Sequence, residues 1–121
     1  MDHSLSSPSH KPRSTFRLYD LSLRALSLIV RDIRAIARHD ANLADQGMRA
    51  ATSWHLNIAE GMNAPGKTKN LRYRTALCSV DEVIGVCDIG EALGYVTVTE
   101  EEADAVQHVR ATLLNLLRPK R

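Results

Sequence analysis

Hydrophobic positions recur at helical spacing in four segments of the chain. Residues 18–39, 43–60 and 69–93 carry apolar stripes in which side chains three or four positions apart share one face. Residues 99–117 form a fourth such segment, and its first residues, Thr99 and Glu102, have the spacing of a capping box. Short connections between helices are typical of antiparallel neighbours. The pattern predicts an all-α, antiparallel up-and-down four-helix bundle over residues 17–118.

The segments outside these helices are short and polar. Residues 1–16 are rich in Ser, Pro and basic side chains and lack periodicity, which indicates a flexible basic N-terminal arm. Residues 119–121 form a basic tail. No apolar run approaches the roughly 20 residues of a membrane span, and the N-terminus lacks an apolar leader. We therefore expect a single cytoplasmic domain with no membrane partner.

One segment fits two incompatible structures. Residues 61–68, from Gly61 to Thr68, match the phosphate-binding pattern G-x-x-x-x-G-K-[ST] at every position. The same residues also fit the end of one helix, stopped at Gly61, followed by a loop to the next. A phosphate loop needs a preceding strand and further parallel strands, and residues 95–98 are the one other short segment with strand character. A small nucleotide-binding protein that uses this segment stays an alternative.

Other patterns of catalysis are weak. Residues 34–39 and 49–55 have the Arg-to-His spacing of helical RNA-cleaving domains, a second alternative. With 12 arginines and five histidines in 121 residues, such matches also arise by chance. A di-metal bundle needs inward Glu and Glu-x-x-His pairs, which are absent from the sequence. We predict no catalytic residue, no metal and no cofactor.

Charge is distributed unevenly along the chain. Its net value is +2, but residues 1–74 carry +6, residues 75–117 carry −7 and the last four residues carry +3. Clustered cations that repel one another are typical of surfaces that bind phosphates. We predict that RNA or DNA binds two clusters, an arginine stripe on the first helix and a group around the start of the third. The two clusters are Arg17, Arg24, Arg31, Arg34 and Arg38, and Lys67, Lys69, Arg72 and Arg74.

Some apolar residues lie away from the main stripes. A single bundle does not bury both sides of its helices, so a second apolar edge indicates an oligomer interface. The predicted interface residues are Leu21 and Leu28 on the first helix and Leu71, Val86 and Ile89 on the third.

The end of the second helix contains an unusual carboxylate. Glu60 lies at the negative end of the helix dipole, where a carboxylate is disfavoured by about 0.3–1 kcal/mol. Asn57 shares its face, and Arg49 and Arg72 are candidate cationic partners. Together with Gly61, these residues predict a structural polar cluster at the turn between the second and third helices.

Three short motifs carry a family resemblance. They are Arg49-x-Ala51-x-Ser53-x₃-Asn57-Ile58-Ala59-Glu60-Gly61, then Ala76-x₂-Ser79-x₂-Glu82, then Ala92-Leu93-Gly94-Tyr95. With the bundle pattern, the chain resembles the four-helix-bundle family of bacterial 23S ribosomal RNA intervening-sequence proteins. Accessory variability proteins of diversity-generating retroelements look like relatives of that family. In it, basic and hydroxyl residues are frequent where Lys67 and Thr68 stand.

The resemblance implies a ring-like homopentamer without catalysis. Its retroelement relatives bind a reverse transcriptase and nucleic acid. We therefore expect a non-enzymatic, oligomeric nucleic-acid-binding or scaffolding accessory protein. Its expected partners are copies of itself, RNA or DNA and, in a retroelement, the reverse transcriptase.

Overall fold

Four α-helices account for nearly all of residues 13–119, the part of the chain that the computed structural model describes. They are α1 (Arg13–Ala37), α2 (Ala41–Met62), α3 (Gly66–Ala92) and α4 (Glu100–Leu117), and no strand occurs in residues 13–119. α2 packs most extensively on α3, and α1 packs on both α2 and α4. The predicted four-helix bundle is therefore confirmed.

Helix α1 begins inside the segment that the sequence predicts as an arm. Residues 13–16 are helical and lead directly into Leu18, which is fully buried in the core. Residues 1–12 and residues 120–121 of the basic tail lie outside the described residues. At its other end α1 stops at Ala37, two residues earlier than predicted. Asp40 there caps α2, since its carboxylate accepts a hydrogen bond from the Leu43 amide at 3.0 Å.

The turn between α2 and α3 is shorter than predicted. α2 continues through Gly61 to Met62, so Gly61 does not stop the helix. Its role is close packing, because a Cβ atom at this position would lie 2.6 Å from Cε1 of Tyr73. α3 then begins at Gly66, directly after Pro65. At α4, the capping box of Thr99 and Glu102 forms as predicted.

The core is built from aliphatic side chains around one tryptophan. Trp54 is fully buried, and its indole Nε1 donates a hydrogen bond to Ser22 Oγ at 2.7 Å. Ser22 Oγ also lies 2.7 Å from Nδ1 of His55. Small residues bring the helices close together, as at Gly90, where a Cβ would lie 2.7 Å from Cδ1 of Ile36. Hydrogen bonds from Ser22 to Trp54 and His55 thus join α1 to α2 inside a mainly apolar core.

Two predicted interface residues belong to this core. Leu28 is 8% exposed and Val86 is 4% exposed, and Leu21 packs against the core while partly buried. The correction has a physical reason: α1 and α3 each pack on two neighbours, so their apolar faces are wider than a single stripe. Leu71 and Ile89 remain at the surface, 63% and 48% exposed.

Candidate nucleic-acid interface

The arginine stripe of α1 lies partly opposite acidic residues of α4. All five of its arginines are exposed. Arg24 Nη2 lies 3.2 Å from Glu101 Oε2, an ion pair between two largely exposed side chains. Arg31 acts electrostatically on the carboxyl groups of Asp32 and Glu102. The middle of the stripe is therefore more neutralised than the sequence of α1 alone indicates.

The second basic cluster lies at one end of the bundle. The up-and-down topology brings the start of α3 beside the end of α4, and between them lies an open cleft of about 580 Å³, which we call the end cleft. Lys69, Arg74 and Arg118 contribute cations to it, and none of the described residues that line it carries a carboxylate. The other residues that line it are Gly66, Asn70, Tyr73, Leu116, Leu117 and Pro119.

The neighbouring cations differ in how they are held. Lys69 Nζ is 3.5 Å from the Met62 carbonyl oxygen, so its ammonium is directed toward the turn. Arg72 is paired with Glu60, whereas Lys67 is exposed in the first turn of α3. Within residues 13–119, neither Lys67 nor Arg74 forms an ion pair with a carboxylate, and neither does Arg118.

The start of α3 adds further positive potential to the end cleft. Pro65 caps this helix without a side-chain hydrogen bond. The N-terminal end of a helix carries a partial positive charge, which favours anions close to it. Gly66, in the first turn, lines the cleft. The start of α3 and the side chains of Lys69, Arg74 and Arg118 therefore give this end of the bundle the same sign of charge.

The predicted turn cluster divides into separate contacts. Of the two candidate partners for Glu60, the structure pairs it with Arg72, with Nη1 3.3 Å from Oε1. Arg49 instead bonds to Asp45 on its own helix, with Nε 3.0 Å from Oδ2. Asn57 Nδ2 donates to the Ser53 carbonyl at 2.9 Å. Of the predicted cluster, the Glu60–Arg72 pair bridges the turn, while Arg49 and Asn57 form bonds within α2.

The segment that matches a phosphate loop has a different structure. Its first two residues, Gly61 and Met62, end α2, and its last three, from Gly66 to Thr68, form the first turn of α3. Residues 41–60, where the required strand would lie, are helical. The strand–loop–helix geometry that cradles a nucleotide is thus absent from this part of the described chain.

The histidines of the two Arg-to-His patterns have other partners. The ring of His39 stacks on Tyr95, with centroids 4.7 Å apart and planes 4° from parallel. Nδ1 of His55 is occupied by Ser22, and burial lowers the pKa of this imidazole. The Arg49 guanidinium pairs with Asp45. These contacts give His39, His55 and Arg49 structural roles in the bundle.

Sequence reasoning missed Arg118 as a site residue and Glu101 as a partner of the stripe. Both lie on α4 or at its end, far along the chain from the clusters that they join. The predicted topology was sufficient to place Arg118 near the second basic cluster. In an up-and-down bundle the end of the fourth helix returns to the start of the third.

The fold is similar to that of one solved structure. That structure is a crystal structure of a protein of unknown function from the S23 ribosomal protein family of Bacteroides thetaiotaomicron. The TM-score is 0.76 at 19% sequence identity, covering 84% of this chain and 99% of that one. No protein-family model and no curated protein matches the sequence. The likeness therefore establishes the shared helical architecture.

Two features are absent from residues 13–119. No helix in this range is both long and apolar enough to cross a membrane. Nor does the range bring three or more His, Cys, Asp or Glu side chains together in a group that could hold a metal ion.

Proposed function

We propose that this protein is a non-enzymatic, oligomeric nucleic-acid-binding or scaffolding subunit that contacts phosphates through the end cleft. The observation that carries the proposal is that Lys69, Arg74 and Arg118 line one cavity to which residues 13–119 contribute no carboxylate. Cations without acidic neighbours repel one another, and a phosphate backbone relieves that repulsion. The arginines of α1 extend the contact along the outside of the bundle.

The α1 stripe and the end cleft contribute unequally. Arg24 already has a carboxylate partner in Glu101, so a phosphate must compete for it. Arg74 and Arg118 have no ion pair within the described residues and are exposed. We expect the cleft to supply the larger part of the affinity.

Fluorescence anisotropy with a labelled single-stranded RNA and the matching DNA tests this proposal. The logarithm of affinity should fall with the logarithm of salt concentration, with a slope of about −0.7 per phosphate contact. Arg74→Glu combined with Arg118→Glu should abolish binding while the circular dichroism spectrum stays that of the wild type.

A matched control uses arginines outside both clusters. Arg49→Glu combined with Arg110→Glu makes the same change in net charge, but these residues pair with Asp45 and Asp81. This variant should retain most of the affinity. Loss of binding only when Arg24, Arg31 and Arg38 are changed together to Glu would move the site to α1. Wild-type protein that binds neither RNA nor DNA would contradict the proposal.

A more specific proposal concerns the biological partner of this protein. The sequence motifs resemble the 23S ribosomal RNA intervening-sequence proteins, and retroelement accessory proteins look like relatives of that family. Together with the bundle fold, this resemblance supports a complex with a reverse transcriptase and its RNA. Co-purification of the two proteins with and without nuclease tests for direct contact. The rival assignment, nucleotide binding at residues 61–68, is tested by calorimetry with ATP and Mg²⁺. We expect no heat, whereas heat that Lys67→Ala removes would favour the rival.

A further inference from the structure

Two carboxyl side chains meet inside the bundle between α1 and α4. Asp32 of α1 is 4% exposed and Glu102 of α4 is 5% exposed. The two carboxyl groups are close enough for each to influence the ionisation of the other. Two ionised carboxylates cannot share such a site without strong repulsion. One of them must therefore hold a proton for the helices to pack as they do.

The capping box decides which carboxyl group is ionised. Glu102 Oε1 accepts from the Thr99 amide at 2.8 Å and from Thr99 Oγ1 at 2.9 Å. Burial opposes ionisation of Glu102, but these hydrogen bonds outweigh it and leave its pKa below the ordinary value. Asp32 Oδ2 has no hydrogen-bond donor within the described residues. The proton therefore belongs on Asp32, which can donate it to Glu102.

The groups around Asp32 favour this protonated state. α3 contributes the Glu91 carboxylate, and also the Cys87 thiol, whose pKa is raised to about 12 by burial and by carboxylates that include Asp32. Arg31 is the cation that acts on the pair, and its side chain is exposed. α2 faces this part of α1 with Gly47, which lies against Ile33. Burial is the largest cause and the Glu102 carboxylate the next. They raise the pKa of Asp32 to about 7.

We propose that Asp32 and Glu102 form a proton-dependent latch that closes α1 onto α4 and loosens when Asp32 ionises. A cavity of about 350 Å³ lies beside this seam, lined by Ile29, Cys87, Thr99 and Val106 among others. The first turns of α4 are therefore loosely packed against α1 and α3 on this side. Loosening the seam also displaces Glu101, the partner of Arg24. The latch thus joins proton binding to the surface that carries the arginine stripe.

The direction of the pH effect follows from the raised pKa of Asp32. Between its ordinary value of 3.8 and about 7, the folded chain keeps a proton that the unfolded chain has released. The stability that protonated Asp32 contributes is therefore fully present below pH 3.8. It is lost as the pH rises toward the pKa of Asp32 in the folded chain. His55, whose pKa is lowered by burial, acts in the opposite direction. Comparing the pH dependence of stability in the wild type and in Asp32→Asn therefore isolates the contribution of Asp32.

The first test compares the thermal midpoints of wild type and Asp32→Asn from pH 5 to pH 8.5. The asparagine amide donates to Glu102 at every pH, so this variant cannot lose the latch by ionisation. Wild type should lose roughly 5–15 °C relative to Asp32→Asn over this interval. Asp20→Asn, at an exposed position on the same helix, should keep a constant offset. A constant offset for Asp32→Asn as well would overturn the proposal.

The second test observes the wild-type protein directly, so it does not depend on the variant folding. Carbon NMR of the aspartate carboxyl groups should give Asp32 a midpoint near 7, and a midpoint near the ordinary 3.8 would overturn the latch. Alkylation of Cys87 in a Cys78→Ser background then reports on local loosening. The alkylation rate should rise from pH 6 to pH 8.5 in both backgrounds. The rise should be several-fold larger with Asp32 than with Asp32→Asn. Parallel rates in the two backgrounds would contradict movement at the seam.

Discussion

Gly61 of α2 lies against the ring of Tyr73 in α3, so that a Cβ atom at Gly61 would be 2.6 Å from Cε1 and 2.8 Å from Cδ1. The ring is buried, and Arg72 Cβ lies on the same side at 3.2 Å, which leaves little space for adjustment. The packing of α2 on α3 at this end therefore depends on the absence of a side chain at position 61.

Gly61→Ala should destabilise the protein. Overpacking costs about 1–3 kcal/mol, more than the roughly 1 kcal/mol that alanine gains over glycine in a helix. Urea denaturation measures the difference. Gly85→Ala is the matched control, because Gly85 is inside α3 with open space around its missing Cβ, and it should stabilise. Equal effects of the two substitutions would contradict this explanation.

Ser22→Ala should lower stability by about 1–3 kcal/mol, the cost of leaving a buried donor without an acceptor. The donor is the indole N–H of Trp54, whose fluorescence also reports unfolding because the chain has one tryptophan. Ser27→Ala is the control, since Ser27 is exposed and its hydroxyl donates within its own helix to the Arg24 carbonyl. A loss equal to that of Ser22→Ala would argue against the Trp54 hydrogen bond.

His55 should titrate below its ordinary pKa of 6.5, because burial disfavours the charged imidazolium. As pH falls below 6.5, the unfolded chain binds this proton first, so stability is lost until the folded pKa is passed. Proton–carbon NMR gives the midpoint directly, and His55→Gln should reduce the acid loss of stability. A midpoint at or above 6.5 would show that burial does not control this group.

Glu60→Gln should lower the melting temperature slightly, by a free-energy change below about 1 kcal/mol, because exposed ion pairs contribute little. Its partner Arg72 and Glu60 itself are both substantially exposed. A double-mutant cycle with Arg72→Gln measures the coupling. Nucleic-acid affinity of Glu60→Gln should stay near that of the wild type. Lost affinity in a variant with wild-type melting would assign Glu60 to the binding site instead.

Leu71→Glu and Leu28→Glu should have different consequences. Leu71 is exposed on α3, so a glutamate there should leave the fold intact, while the cost of burying its charge should dissociate the proposed oligomer. Leu28 is in the core, and a buried unpaired carboxylate should unfold the chain. Light scattering and circular dichroism separate the two outcomes. A wild-type monomer at micromolar concentration would refute the oligomer itself.

The sequence by itself determined the number of helices, their approximate positions and the bundle. Local patterns suffice for this, since helical periodicity, the box of Thr99 and Glu102, and short connections are encoded by residues close in the chain. The pairing of Glu60 with Arg72 could also be predicted, because Arg72 follows Glu60 across one short turn. Helix ends were less accurate, since burial of Leu18 and the fit of Gly61 against Tyr73 involve other helices.

Only the tertiary structure decided which apolar and charged residues remain at the surface. Leu28 and Val86 follow an edge pattern but are buried, because α1 and α3 each have two neighbours. Glu101 neutralises Arg24 across 77 positions of sequence, and Arg118 joins Lys69 and Arg74 at the end cleft. Burial and charge pairing depend on distances in space, which helical periodicity along a single segment does not contain.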